Sequence, residues 1–263
     1  MRDLFPQKHA LIGALHLGAM PGTPRNVLTP RAIVEQAVEE AKVLAATGFH
    51  GIILENMHDR PYLKGSVGPE VVATMAVATA EVRRVVDLPI GIQILAGANE
   101  QALATAFCAG ADFIRAEGFV FGHMADEGLI EACAGPLLRY RKQIGADRVK
   151  ILCDIKKKHS SHALTSDLTL EDTAKAAEFF LADGVVVTGL ETGSQTDPGE
   201  VASTAKASSL PVWIGSGLTP DNVADYPAAH GFIVGSWMKR DGDWTKPVDP
   251  ARCQAMATAV ERL

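Results

Sequence analysis

Short apolar runs alternate with longer amphipathic stretches along the chain. Runs rich in Ile, Val and Leu predict eight buried strands, at Ala10–Leu17, Gly51–Glu55, Ile90–Leu95, Phe113–Glu117, Lys150–Ile155, Gly184–Thr188, Val212–Gly215 and Phe232–Gly235. Helical spacing appears between and after them, near Arg31–Ala46, Pro69–Val86, Glu100–Ala109, Leu129–Ile144, Leu170–Leu181, Pro198–Ala207, Pro220–Tyr226 and Pro250–Arg262. Eight strand–helix pairs fit a closed barrel. The pattern therefore predicts an α/β fold, a (β/α)8 TIM barrel, with residues 1–263 as a single domain.

The two rims of this predicted barrel differ in loop length. Helix-to-strand connections such as Thr47–His50 are short, whereas strand-to-helix connections such as Gly18–Pro30 and Lys156–Thr169 are long and polar. The pairs Thr29-Pro30 and Asp249-Pro250 are typical of helix N-termini, which lie at the same rim as the long loops. Barrel enzymes carry their chemistry on that rim, so we expect the site there.

Composition narrows the class of partner. The chain has 263 residues, of which 47% are hydrophobic and 21% are charged, and its formal net charge is -6. An acidic chain whose single basic block is Lys156–Lys158 does not predict nucleic-acid binding. Residues 1–9 lack a signal-peptide pattern, and no apolar run reaches the roughly 18 residues of a membrane helix. We expect a cytoplasmic protein with no integral membrane segment and a small-molecule partner.

Two late strands end in glycine and serine. Pro211–Pro220 contains Gly-Ser-Gly after an apolar run, and Gly231–Trp237 contains Gly-Ser after the next run. In barrels, the loops after the last two strands commonly hold phosphate through backbone N–H groups. These strand ends predict an anion site for a phosphorylated small molecule. The alternative is that the glycines only allow helices to pack tightly against strands.

Ionisable side chains stand at the ends of several other predicted strands. The candidate catalytic residues are His16, Glu55, Glu117, Asp154 and Lys156. Alternate residues of a barrel strand point inward, and those nearest the carboxyl end can reach a ligand. Charged groups in apolar surroundings need a partner or a function, so five of them at one rim predict catalysis.

Some of these residues also have structural interpretations. Arg115 and Glu117, two apart on one strand face, could form an internal ion pair, and His16 could be a hydrogen-bonding core residue. The loop residues His58–Arg60 and His123 either close over a ligand or are ordinary surface groups.

Lys156 gives the sharpest mechanistic hypothesis. A lysine at a strand end, beside the cations Lys157 and Lys158, could form a Schiff base with a keto or aldehyde sugar phosphate. The alternative is a solvated basic turn that attracts an anionic substrate. Glu55, Asp154 or His159 as proton carriers would instead give isomerase, epimerase or hydrolase chemistry.

Metal and thiol chemistry receive little support. His16, Glu55, Glu117, Asp154 and His159 are acceptable ligands, but no H-x-H or H-E-x-x-H spacing occurs, so no metal residue is assigned. The sequence predicts no definite cofactor and leaves a divalent metal open. The four cysteines form no C-x-x-C pair and are expected to be reduced, mostly buried thiols; Cys153 is the one candidate for reactivity, with packing favoured.

Several strand-end motifs together resemble one family. They are His16-Leu-Gly-Ala-Met-Pro-Gly22, Gly51-Ile-Ile-Leu-Glu-Asn56, Ile114-Arg-Ala-Glu117, Asp154-Ile-Lys-Lys-Lys-His159, Thr188-Gly189 and Gly215-Ser-Gly217. In this order they resemble the BtpA family, named for a photosystem I biogenesis protein and including SgcQ-like proteins associated with sugar utilisation. The resemblance implies a phosphate-binding barrel. By similarity to such barrels, the phosphate-binding residues would be Thr188, Gly189, Gly193, Ser216, Gly217, Gly235 and Ser236.

These observations lead to three hypotheses about function. The first is a lyase, isomerase or epimerase acting on a phosphorylated sugar or related metabolite. The second is a non-catalytic assembly, biogenesis or regulatory factor on the same barrel, and the third is a metal-dependent phosphatase or nucleotide hydrolase. A homo-oligomer is also expected, with Trp237, Met238 and Trp244 either at an interface or lining the pocket.

Overall fold

The computed structural model describes residues 1–157, 159–189 and 195–263. Within that part the strands are β1 (Ala10–His16), β2 (Gly51–Glu55), β3 (Ile90–Gln93), β4 (Phe113–Ala116), β5 (His123–Ala125), β6 (Gly128–Ile130), β7 (Lys150–Asp154), β8 (Ser160–Ser161), β9 (Gly184–Val187), β10 (Val212–Ile214) and β11 (Gly231–Val234). Eight of them close a parallel barrel in the order β1-β11-β10-β9-β7-β4-β3-β2. The predicted (β/α)8 fold is confirmed.

Helices surround the barrel. They are α1 (Pro30–Ala46), α2 (Pro69–Val85), α3 (Asn99–Ala109), α4 (Ala134–Gln143), α5 (Leu170–Phe179), α6 (Pro198–Ala207) and α7 (Pro250–Glu261). Thr29 accepts a hydrogen bond from the backbone of α1, and Asp249 accepts two from α7, so both predicted caps are present. Among the described residues, no helix is long and apolar enough to cross a membrane.

Two predicted helices are wrong in part. The stretch predicted as helical from Leu129 begins only at Ala134, because Leu129 and Ile130 belong to strand β6. Strands β5 and β6 form an antiparallel hairpin that β8 extends, and Gly128, with φ 108°, follows its two-residue turn. We call this three-stranded sheet the rim sheet.

The predicted helix Pro220–Tyr226 is a single short 3-10 turn at Val223–Asp225. The Asn222 side chain accepts from the Thr219 N–H and donates to the Gly217 carbonyl oxygen. Such side chain–backbone bonds compete with helix formation and hold this segment as a loop.

The barrel interior is closed at the end opposite the long loops. Phe5, from the N-terminal segment, is fully buried and packs edge to face on Phe113 and Trp213, with ring centroids 6.0 and 5.1 Å apart. Ile12, Ile53 and the other apolar inward residues continue this layer. Apolar side chains of the described residues thus fill the lower half of the barrel, which leaves the rim of the long loops as the end where a ligand can reach inward-facing polar residues.

Candidate active site

Strand register brings polar side chains together at the upper end of the barrel. His16 of β1 pairs with Glu55 of β2, and Glu55 pairs in turn with Gln93 of β3. Arg115 of β4 and Asp154 of β7 also point inward, and all five side chains are buried. The period of two along each strand therefore places them above the apolar plug, where the sequence predicted candidate residues.

Arg115 is the central cation of this group. Its Nη2 donates to Asp154 Oδ1 at 2.8 Å and its Nε to Oδ2 at 3.1 Å, while Nη1 lies 3.6 Å from Glu55 Oε1. Burial disfavours the charged guanidinium, but the carboxylates of Asp154 and Glu55 outweigh it and raise the pKa of Arg115. The sequence left open an ion pair between Arg115 and Glu117. In the described residues Arg115 instead pairs with Asp154 and Glu55, which lie on other strands.

Glu117, just beyond the end of β4, is a second, distinct carboxyl group. Its Oε1 accepts from Gln93 Nε2 at 3.2 Å, and its Oε2 lies 3.4 Å from Lys157 Nζ. Burial raises the pKa of the Glu117 carboxyl, and Lys157 offsets only part of that rise. A buried carboxyl group with a raised pKa suits proton transfer near neutral pH.

The two described lysines after β7 point to different places. Lys156 has a φ of 50°, and its Nζ donates to the Leu168 carbonyl oxygen, away from Glu55 and Glu117. Lys157 instead lies between Glu117 and Glu127 of the rim sheet turn, 3.8 Å from Glu127 Oε2. Sequence reasoning named Lys156 and not Lys157, because the left-handed backbone at Lys156 and the separate directions of the two side chains cannot be read from a run of lysines.

The glycine-serine strand ends line a cavity of about 210 Å³. Residues 215–219 form one wall and residues 233–237 another, with His16, Glu55 and Arg115 below them. Within the described part of the chain, no hydrogen bond engages the backbone N–H of Gly217 or Gly235. Two glycines whose backbone N–H groups are not engaged in the described part of the chain thus line a cavity that Arg115 also lines, a combination that suits an anion.

Glycine is favoured at two positions of this cavity. Gly217 has a φ of 69°, which disfavours other residues. A Cβ on Gly235 would lie 3.0 Å from His16 Nε2, a tight contact that the His16 side chain would have to move to relieve. Ser216 Oγ accepts from the Gly189 N–H at 2.8 Å and links this loop to the end of β9.

The remaining predicted phosphate residues lie as follows. Ser236 lines the cavity, and Thr188 is buried nearby beneath Gly215, where its Oγ1 has no hydrogen-bond partner among the described residues. Gly193 falls outside the described residues.

A second cavity, of about 360 Å³, adjoins the first. Glu55, Met57 and Arg115 line both. Its other lining residues include the carboxylates of Glu117, Asp126, Glu127 and Asp154, the cations Lys157 and Arg60, and the rings of Tyr62 and Trp244. A ligand anchored in the first cavity can therefore extend directly over the ionisable side chains of the second. We call the first the cradle and the second the reaction cavity.

The loops that form the mouth are tied to the barrel. The Asp59 carboxylate accepts hydrogen bonds from the Met20 N–H at 2.7 Å and from Asn56 Nδ2 at 2.9 Å. On the other side, His16 Nδ1 donates to the Trp244 carbonyl oxygen at 3.0 Å. Trp244 lines the reaction cavity and Trp237 the cradle, as one of the two sequence interpretations predicted, and Met238 is buried.

Metal and thiol sites are not evident in residues 1–157, 159–189 and 195–263. No group of three His, Cys, Asp or Glu side chains there has a geometry that could hold a metal ion. Cys153 and Cys253 are buried, and burial raises the pKa of each thiol, which suits packing residues better than nucleophiles.

Comparison with known proteins finds relatives that match nearly the whole chain. An uncharacterized protein of Caenorhabditis elegans, described as mitochondrial, is 46% identical over 258 residues, 96% of this chain and 93% of its own. The photosystem I biogenesis protein BtpA of Synechocystis is 38% identical over 97% of this chain and 89% of its own. The cytoplasmic location thus stays a prediction.

Solved structures share the fold at low sequence identity. N-(5'-phosphoribosyl)anthranilate isomerase from Pyrococcus furiosus superposes with a TM-score of 0.59 at 13% identity, covering 97% of this chain and all of its own. The BtpA family model matches residues 7–262, nearly the whole chain. On this match and on the relatives above, the protein is a member of the BtpA family.

Proposed function

We propose that this protein is an enzyme that acts on a phosphorylated sugar or similar small metabolite as a lyase, isomerase or epimerase. The observation that carries the proposal is the shared wall of the two cavities, formed by Glu55, Met57 and Arg115. A phosphate held in the cradle would place the attached carbon chain in the reaction cavity. Binding energy from a remote phosphate can then position the reacting atoms.

The cradle supports phosphate as the anchoring group. Backbone N–H groups of Gly217 and Gly235 would donate to phosphate oxygens, and Ser216 and Ser236 stand beside them. Thr188 and Gly189 border the same loop, which Ser216 ties to the end of β9. The structural neighbour from Pyrococcus furiosus is named for a phosphoribosyl compound, which carries a phosphate group. A barrel of this fold can therefore bind a phosphorylated substrate.

The reaction cavity supports proton transfer next to a carbonyl group. Glu117, whose pKa is raised by burial, would carry the proton, and Glu55 with His16 Nε2, 3.9 Å away, would form a second acid–base pair. Arg115 would stabilise the negative charge that develops on the substrate oxygen. Asp154, which holds Arg115 at two points, is better suited to positioning that cation than to taking the proton.

The three proposed reaction types share one intermediate. Isomerisation removes a proton beside a carbonyl and returns it to the neighbouring carbon, and epimerisation returns it to the opposite face of the same carbon. Carbon–carbon cleavage leaves an enediolate anion of the same kind, which then takes up a proton. In all three reactions Arg115 would stabilise the anion, and a protonated carboxyl group would return the proton. Lys156, which bonds to the Leu168 carbonyl oxygen, is poorly placed for the Schiff base, so acid–base chemistry is favoured.

Thermal-shift measurements test the cradle. Phosphate, sulfate and sugar phosphates should stabilise the wild type but not Gly217→Val, because a side chain there would enter the cradle. Gly145→Val is the matched control, since Gly145 has a similar φ of 72° and lies in open space away from the site. Equal ligand stabilisation of Gly217→Val and the wild type would exclude the cradle.

Hydrogen exchange tests the chemistry without knowledge of the product. A panel of keto and aldehyde sugar phosphates incubated with the enzyme in D2O should include one whose proton beside the carbonyl is replaced by deuterium, as measured by NMR. Glu117→Gln should slow this exchange while it leaves stabilisation by phosphate unchanged. Phosphate binding without exchange on any substrate of the panel would count against the enzyme.

The alternative is a non-catalytic biogenesis factor. The observation that favours it is that the Synechocystis relative is a photosystem I biogenesis protein. A relative in Caenorhabditis elegans, an animal without photosynthesis, favours a more general role. The exchange experiment separates the two, because a scaffold does not require acid–base groups directed at one point.

A further inference from the structure

Arg60 stands apart from the other cations of the reaction cavity. Arg115 is held by Asp154 and Glu55, and Lys157 lies between Glu117 and Glu127. In the described part of the chain, no carboxylate forms an ion pair with Arg60. Its guanidinium instead lies over the Trp244 ring, 4.5 Å from the centroid. One cation at the cavity thus has its hydrogen-bond donors available to a ligand.

The position of Arg60 is fixed from both sides. The preceding residue, Asp59, is buried and bonded to Met20 and Asn56, so the backbone leading to Arg60 is anchored. Trp244, on which the guanidinium stacks, has its carbonyl oxygen bonded to His16. Arg60 is exposed, but these contacts restrict its side chain, so it loses less entropy on binding a ligand than an arginine without them.

Arg60 lies at the outer end of the site. It lines the reaction cavity and also an outer cleft with Arg25 and His58, but it does not line the cradle. Burial, with the nearby Lys239 and Arg60 charges, lowers the pKa of His58, so that imidazole is neutral and does not compete for an anion. Arg60 therefore borders the reaction cavity but not the cradle, whereas Glu55 and Arg115 line both.

We infer that Arg60 forms a second anion subsite, so that the substrate carries a carboxylate or a second phosphate at the end opposite its anchored phosphate. A guanidinium presents paired N–H donors that match the oxygens of either group. This inference rests on the proposed function, because it requires the first phosphate to occupy the cradle. It narrows the substrate class to compounds with anionic groups at both ends.

Matched ligands test the subsite by titration calorimetry. Inorganic phosphate tests the cradle, because its binding should be lost in Gly217→Val and retained in Arg60→Gln. 6-Phosphogluconate and sorbitol 6-phosphate share a carbon chain and differ in a terminal carboxylate, whereas fructose 1,6-bisphosphate and fructose 6-phosphate differ in a second phosphate. The wild type should bind the doubly anionic member of at least one pair about tenfold more tightly, and the pair that responds identifies the anionic group.

Variants assign that preference to Arg60. Arg60→Gln should abolish the preference and leave the affinity for inorganic phosphate unchanged. Arg25→Gln is the matched control, since Arg25 lines the outer cleft but not the reaction cavity, and it should retain the preference.

The outcomes separate the two proposals. Binding of inorganic phosphate with no preference in either pair, or a preference that persists in Arg60→Gln, overturns the subsite and leaves the cradle standing. Failure of inorganic phosphate to bind the wild type overturns the cradle, and the subsite with it.

Discussion

Arg115 and Asp154 join neighbouring barrel strands through a buried ion pair with two points of contact, Nη2 to Oδ1 at 2.8 Å and Nε to Oδ2 at 3.1 Å. Both side chains are largely removed from solvent. Glu55, the third member, lies 3.6 Å from the same guanidinium. The arrangement fixes a cation directly beneath the cradle and beside the carboxyl groups of the reaction cavity.

Removal of the Arg115 charge should destabilise the fold strongly. Arg115→Met leaves the carboxylates of Asp154 and Glu55 buried without their cation, and the expected loss is about 3–5 kcal/mol in the free energy of unfolding. Denaturant titration measures it. Arg31→Met is the control, because Arg31 pairs with Glu35 on an exposed face of α1, where solvent screens the pair and a much smaller loss is expected. Equal losses in the two variants would contradict the arrangement described.

Glu117 should make stability depend on pH in a defined direction. Burial raises the pKa of the folded Glu117 carboxyl above the ordinary 4.5 of the unfolded chain. Between these two pKa values, the folded protein holds a proton that the unfolded chain has released. Stability from this carboxyl group is therefore complete below about pH 4.5 and decreases as the pH rises toward the folded pKa. Glu117→Gln should lose this dependence, so that its stability relative to the wild type increases from pH 4 to pH 8.

Urea titrations at several pH values measure that difference. Glu131→Gln provides the same substitution at an exposed site on the nearby loop. If the stability curves of Glu117→Gln and the wild type stay parallel across the range, the pKa of Glu117 is not raised.

Lys156 and Lys157 should differ in their effect on ligand binding. Lys157 lines the reaction cavity beside Glu117, whereas Lys156 bonds to the Leu168 carbonyl oxygen before α5. Ribose 5-phosphate should stabilise Lys156→Met as much as the wild type and Lys157→Met less, in a thermal-shift experiment. Lys156→Met should itself be less stable than the wild type by about 1 kcal/mol, the usual value of one hydrogen bond. A ligand response lost only in Lys156→Met would contradict this assignment and support the Schiff-base role that the sequence suggested for Lys156.

The fold was predictable because each barrel strand is an apolar run bounded by turn residues, as at Gly51–Glu55. Inward-facing polar residues such as Glu55 and Asp154 were predictable for the same reason, since their place at a strand end follows from the period of two. The rim sheet was not, because its three-residue strands are too short for a periodic signal and Leu129 continues a helical spacing.

Pairing among the polar residues was also beyond the sequence. Arg115 and Glu117 share a strand face, yet their partners, Asp154 and Lys157, come from the next strand of the barrel and the turn after it. Such choices depend on side-chain reach between strands. The anchored position of Arg60 likewise depends on Trp244, which is distant in the sequence.

Phe5 should contribute more to stability than its place in the N-terminal segment suggests. It is fully buried between Phe113 and Trp213 and closes the barrel interior below the active site. Phe5→Ala leaves a cavity in this layer, and the expected loss is about 3–5 kcal/mol by denaturant titration. Phe179→Ala, at an 81% exposed position on α5, should change stability by no more than about 0.5 kcal/mol. A small effect of Phe5→Ala would mean that the strands close the interior without the N-terminal segment, and the apolar floor beneath Arg115 and Glu55 would then have to come from the barrel alone.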